Sequence, residues 1–200
     1  MIPKKLLAEL IGTFSLTLVV LLSATSDSFP FPVPIMAGLT VGLFVYTIGA
    51  ISGTHLNPAV TLGVLSIKKI ELPEAMRYIV AQVSGAILAL MALKTLDITI
   101  PRLGGLAGGA VLTGEIVGTA LLTFGIAAVV LEKMNEGTQG FIIGTSLFIG
   151  ACVATLIGAP GFLNPAVAIG ANSLSVNTLL GPIIGSVIGM QLHKFLIAKE

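Results

Sequence analysis

Long apolar runs, each about the length of a membrane crossing, alternate along this chain with short polar breaks. Residues 6–24 are apolar apart from Glu9 and small hydroxyl side chains, and residues 33–51 hold no charge. Residues 75–93 carry only Arg77, near their beginning, and residues 109–131 carry Glu115 near their start. Residues 139–158 are uncharged, while residues 179–197 stay apolar until His193 and Lys194. A helix rises about 1.5 Å per residue, so a hydrocarbon core of about 30 Å takes roughly 20 residues. The pattern predicts six transmembrane helices. Proline, glycine and charge gather in the breaks at 26–34, 66–73, 94–108 and 132–138.

Two further segments, 55–65 and 162–171, are too short to cross. They share five residues: Leu56-Asn57-Pro58-Ala59-Val60 in one and Leu163-Asn164-Pro165-Ala166-Val167 in the other. Upstream, Glu9-Leu10-Ile11-Gly12-Thr13 answers Glu115-Ile116-Val117-Gly118-Thr119, at nearly the same distance from each asparagine. Downstream, Gln82-Val83-Ser84-Gly85 falls where the second half has Pro182-Ile183-Ile184-Gly185. The expectation is one domain over residues 1–200, built from two copies at about 1–100 and 109–200. Three spans per copy is an odd number, so the second copy enters the membrane upside down. Asn followed by Pro is a strong helix start, because Asn caps and Pro occupies the first turn without wasting a donor. Ten helical residues reach about 15 Å, half the core, so two such segments from opposite faces meet N-terminus to N-terminus. Non-helical backbone at that depth is tolerated only where it is buried or lines a water-filled cavity. The two halves must enclose a pore or a binding cavity.

Composition narrows the class. The 200 residues are 55% hydrophobic and 10% charged, with a mean hydropathy of +1.06; soluble domains carry about 25% charged residues. A net charge of +1 leaves no basic face for nucleic acid, and a single cysteine excludes a disulfide framework or a CxxC metal or redox site. Glycine, at 24 residues, points to helices packed closely in a bilayer. Lys4 and Lys5 before an apolar run have the look of a signal peptide. That run is too long and contains Glu9, so it is read as the first span. With a cytoplasmic N-terminus, the inside segments hold Lys4, Lys5, Lys68, Lys69, Arg77, Lys133, Lys194 and Lys199, and the outside segments only Lys94 and Arg102. The bias predicts a multi-pass protein with both termini in the cytoplasm.

A doubled Asn-Pro-Ala on half-helices within an inverted six-span repeat resembles the aquaporin and aquaglyceroporin family. The resemblance covers the whole chain, including residues 8–13, 52–60, Ala81-Gln82, Gly85-Ala86 and Gly181-Pro182. It implies an all-α, aquaporin-like membrane protein with six transmembrane helices and two re-entrant half-helices. It implies a passive channel in the plasma membrane, with one pore per subunit in a homotetramer and no cofactor. The motif residues Asn57, Pro58, Ala59, Asn164, Pro165 and Ala166 would meet at the pore centre, the asparagine amides donating to the permeating molecule. The half-helix N-termini point positive ends there, which opposes cations. Backbone carbonyls of Gly53, Thr54, His55, Gly161, Phe162 and Leu163 would supply an acceptor ladder, while Glu9 and Glu115 would hold the re-entrant loops. Gln82 is expected to be buried and structural. His55 has Phe162 at the matching position and is read as a satisfied histidine beside the pore, not a metal ligand or a pH gate. Cys152 is read as a small core residue.

The chain departs from the family at the outer constriction. The usual arginine is replaced by Val167, and the remaining positions align to Ala37, Ala151 and Gly161, the last two less firmly because the loop at 158–163 is longer than the common form. Such a constriction has no cation, no side-chain donor and no bulk. The permeants it could admit are water, glycerol, urea, neutral metalloid acids or dissolved gases. Phe44, Phe148 and Phe162 are candidates for narrowing the path. The alternatives are a secondary active transporter with an occluded midplane site and a weakly conducting structural membrane protein. Against the transporter, no membrane carboxylate stands beyond the two symmetric ones. No Ser/His/Asp, Cys/His or HExxH arrangement suggests an enzyme.

Overall fold

The computed structural model describes residues 3–25, 30–100 and 106–198. Within them the helices are α1 (Lys4–Thr25), α2 (Val33–Ser52), α3 (Pro58–Ser66), α4 (Leu72–Thr95), α5 (Gly109–Glu132), α6 (Glu136–Ile157), α7 (Pro165–Gly170) and α8 (Val176–Leu196). The six longest are long and apolar enough to cross a membrane. The order long, long, short, long occurs twice, giving an inverted repeat of three spans and one half-helix. α6 and α8 begin earlier than their apolar runs because capping carries them into polar sequence, and α4 does so with Pro73 in its first turn. Asn135 accepts from Gly137 N to open α6, and Ser175 opens α8 with a capping box to Thr178. Arg102, Lys199 and residues 26–29 of the first connection, all weighed above, lie outside the described residues.

Small residues bring the spans together at equivalent points of the two halves. A methyl group added at Gly85 on α4 would strike the carbonyl oxygen of Leu10 on α1; one added at Gly185 on α8 would strike that of Ile116 on α5. Leu10 and Ile116 each follow a buried glutamate, so these close approaches sit directly beside the Glu9 and Glu115 positions. Between the halves, α2 and α6 cross with Gly38 against Gly144 and Gly42 against Gly140. The half-helices change sides: α3 packs against α8 and α7 against α4, so each rests on the last span of the other half.

The second half-helix is shorter than expected. α3 has 9 residues, but α7 has 6 and ends at Gly170 rather than running to 171. Asn172 takes a φ of +50°, and Ser173 N bonds back to Ala168 O at 2.9 Å, a tight helix ending. The chain is then committed to the Ser175 cap of α8, which leaves no room for a further turn. At about 1.5 Å per residue α7 reaches only ~9 Å.

Gly185→Ala should therefore force α5 and α8 apart, costing about 1–3 kcal/mol. Gly109→Ala, where an added methyl meets nothing within 4 Å, should be neutral. Thermal unfolding in detergent checks both, with a clear loss expected for the first alone.

Candidate pore and its lining

Two stretches of backbone leave helical geometry between α2 and α3 and between α6 and α7. Both take the same shape. Thr54 and Leu56 have φ values of +52° and +49°; their counterparts Gly161 and Leu163 have +71° and +52°. The left-handed conformation is costly for threonine and leucine, so neighbouring contacts must hold it in place. The glutamates do so. Glu9, fully buried on α1, accepts from His55 N (3.0 Å), Leu56 N (2.7 Å), Ser52 Oγ (2.7 Å) and Gln82 Nε2 (2.8 Å). Glu115, fully buried on α5, accepts from Phe162 N (3.0 Å) and Leu163 N (2.7 Å). The glutamine contact has no counterpart in the second half, where Pro182 stands at the matching position and carries no donor.

At the centre the two asparagines do two jobs with different atoms. Asn57 Oδ1 accepts from Ala59 N (2.8 Å), and Asn164 Oδ1 from Ala166 N (3.0 Å) and Val167 N (3.4 Å), capping both half-helices. Asn57 Nδ2 donates to Leu163 O (2.8 Å), and Asn164 Nδ2 donates to Leu56 O (2.9 Å). Each loop is thereby bonded to the other, and each amide retains one further N–H, since the group has two. Pro58, Ala59, Pro165 and Ala166 are buried in the first turns behind them.

Two cavities approach this centre from opposite ends. One, of about 900 Å³, is a polar vestibule whose wall includes Lys5, Lys69, Lys133, Glu74 and Glu136. Three of the lysines assigned above to the cytoplasmic side thus share one mouth. The other, of about 730 Å³, is a largely aliphatic chamber that takes in Pro32, Val33 and Ile100 at one end and Asn57 and Asn164 further in. Ala37, Ala151, Gly161 and Val167 all lie on the wall of this chamber. Of the aromatic candidates, Phe162 lines the chamber, whereas Phe148 lies in a separate groove between α2 and α6. Cys152 also faces the chamber, on its partly exposed side.

The carbonyl-bearing residues divide. Gly53 lines the vestibule, Thr54 and His55 line both cavities, and Gly161 and Phe162 line the chamber. Leu163 lines neither; it is fully buried and its carbonyl is taken by Asn57. The imidazole of His55 is anchored: Nδ1 lies 3.1 Å from Thr61 Oγ1, and the ring sits edge-on to Tyr78 at 5.2 Å. Thr61 in turn accepts from Gln82 Nε2 (3.0 Å) and donates to Asn57 O (3.0 Å). Tyr78 donates to Ser52 O at 2.8 Å. The sequence reading missed Thr61, Tyr78 and the aliphatic wall residues Val60, Leu122, Ile126, Ile143 and Leu147. The first two could have been sought as polar groups in apolar spans. The aliphatic ones carry no signal that separates a pore wall from a core.

Residues 2–193 match the family described as Major intrinsic protein. Aquaporin AqpM of Methanothermobacter thermautotrophicus is 30% identical over 99% of this chain and 99% of its own length. Aquaporin-1 of Canis lupus familiaris is 32% identical over 82% of this chain and 66% of its own length. An aquaglyceroporin from Plasmodium falciparum has the same fold, with a TM-score of 0.79 over 98% of this chain and 96% of that one, at 23% identity.

Glu9→Gln would turn an N–H₂ toward groups that are themselves donors, at about 1–3 kcal/mol for each donor left unpaired. Glu115→Gln meets fewer donors from side chains. Both variants should lower the unfolding temperature, Glu9→Gln more, with little change in solute selectivity. A folded variant with altered proton flux and unchanged stability would overturn this structural role.

Proposed function

The chain belongs to the major intrinsic protein family, and on that premise we propose that its two half-helices build a passive pore for water and small neutral solutes. The observation that carries this reading is the asparagine pair. Each Oδ1 is committed to a cap and each Nδ2 to one carbonyl across the centre, so the polar group left for a permeating molecule is an N–H donor from either side. A neutral molecule with a lone pair can accept there, while a cation meets donors and helix N-termini. The short α7 and the valine at 167 make this barrier weaker than two full half-helices with an arginine would.

Ala37, Ala151, Gly161 and Val167 form the outer constriction in this reading. Their methyl groups and backbone select little by hydrogen bonding, so this position by itself imposes no strict water selectivity and admits solutes of glycerol or urea size. The acceptors lining the path are the loop carbonyls on either side of the asparagines, Leu163 excepted. The protein is inferred to work as a homotetramer in the plasma membrane, an assembly that rests on the family resemblance. Cytoplasmic termini are supported by the lysines gathered at one vestibule.

Stopped-flow light scattering on proteoliposomes tests the reading. A channel gives a low activation energy and flux that does not saturate; a carrier saturates, and a purely structural protein passes nothing. A cysteine at Lys69 should be labelled from the cytoplasmic side only, and the reverse would overturn the orientation. The double variant Ala37→Phe, Val167→Arg adds bulk and five donors in a rigid fork. It should cut glycerol permeability sharply while sparing water. An unchanged ratio would mean that these positions do not line the path.

A further inference from the structure

Ala37, Ala151, Gly161 and Val167 line the same outer chamber as the asparagine pair. The division between the two cavities falls deeper. Their walls have five residues in common: Thr54, His55, Val60, Ile126 and Ile143. These come from the first re-entrant loop, from α3, and from α5 and α6 of the second half, so they surround the passage from several sides. Val60, Ile126 and Ile143 belong to the buried aliphatic cluster that continues along the chamber wall.

We propose that this ring, on the vestibule side of the asparagine pair, and not the outer position, is the narrowest point and sets the solute cut-off. The proposal rests on the passive-pore reading above. The ring's chemistry explains what it would select. Three of its members are aliphatic. Thr54 Oγ1 is spent donating to Phe44 O at 3.2 Å, and His55 Nδ1 is held by Thr61. Among the described residues His55 Nε2 has no protein partner, which leaves it as the ring's one side-chain nitrogen able to serve a permeant. A water molecule loses few hydrogen bonds in passing one such group, whereas a polyol must strip several hydroxyls at once with no replacements. The ring therefore penalises solutes by both size and hydroxyl count.

The experiment compares glycerol and water permeabilities of proteoliposomes at matched protein density. Ile143→Ala should raise glycerol permeability roughly tenfold and water permeability by much less. Ile143→Phe should lower both. Leu147→Ala removes similar bulk from the outer chamber alone and should shift the ratio by less than Ile143→Ala does. Should Ile143→Ala not assemble, Ile126→Val and Val60→Ala make smaller cuts in the same ring and should shift the ratio in the same direction. Ring variants that fold and leave the ratio unchanged, or a larger shift from Leu147→Ala, would overturn the proposal while leaving the channel reading intact. Saturable flux in the unaltered protein would sink the channel reading instead. A silent unaltered protein that conducts once the ring is widened would place the barrier at the ring all the same. Silence in both would end the two together.

Discussion

A peptide group stranded at the middle of a bilayer must find its partner within the protein, and this chain leaves helical geometry at that depth twice. The remaining architecture answers that one constraint. A carboxylate inside a membrane span is itself costly, and so are unpaired loop N–H groups. Glu9 and Glu115 set one cost against the other, each accepting two consecutive N–H groups from the loop of its own half. The close approaches of Gly85 to Leu10 and Gly185 to Ile116 seat the last span of each half beside its glutamate. The reciprocal bonds from the asparagines to Leu163 O and Leu56 O then make each loop a condition for the other. Neither half can complete its centre alone.

Satisfying the loops in this way uses up most of the polar groups near the pore. Ser52, Gln82, Thr61 and Tyr78 all face inward to the Glu9 network. What remains for a permeating molecule is sparse: one N–H on each asparagine, His55 Nε2 and the free loop carbonyls. The path from the outer mouth inward is otherwise largely apolar. In the proposed pore, transport is governed by what a solute gives up in leaving water and less by what it gains from the wall.

The architecture was legible because its markers are polar groups in apolar surroundings, where each must have a reason. The two Asn-Pro starts, Glu9 and Glu115 stood out on that ground, the repeat tied them into one site, and Gln82 entered through the repeat and the family resemblance. Span positions followed from apolar length, with starts displaced into polar sequence where Asn135 and Ser175 cap a helix and where α4 opens at Leu72 with Pro73 in its first turn. The end of α7 was less legible, since it depends on Asn172 adopting a left-handed turn and on the cap that follows. The crossed Asn–carbonyl bonds were not readable at all. They require Leu56 and Leu163 to take positive φ, which a leucine does not announce. Nor could Ile126 and Ile143 be told from other aliphatic residues of their spans, because a wall and a core ask the same of a side chain until the helices are placed.

The departures from internal symmetry carry the functional information that the repeat itself cannot. Where the first half has Thr54, His55 and Gln82, the second has Gly161, Phe162 and Pro182. The first set builds a hydrogen-bonded chain from Glu9 through Gln82 and Thr61 to the imidazole of His55, at the boundary between vestibule and chamber. The second set leaves a methyl-free backbone position and an aromatic ring on the chamber wall. A symmetric pore would present the same chemistry to molecules arriving from either face. This one presents an aliphatic approach on one side and a charged vestibule on the other, with its fixed imidazole between them. That polarity of structure does not bias net flux in a passive pore, since flux follows the gradient. In the proposed pore it sets where along the path a solute sheds its water, with the imidazole of His55 at the boundary of the two cavities.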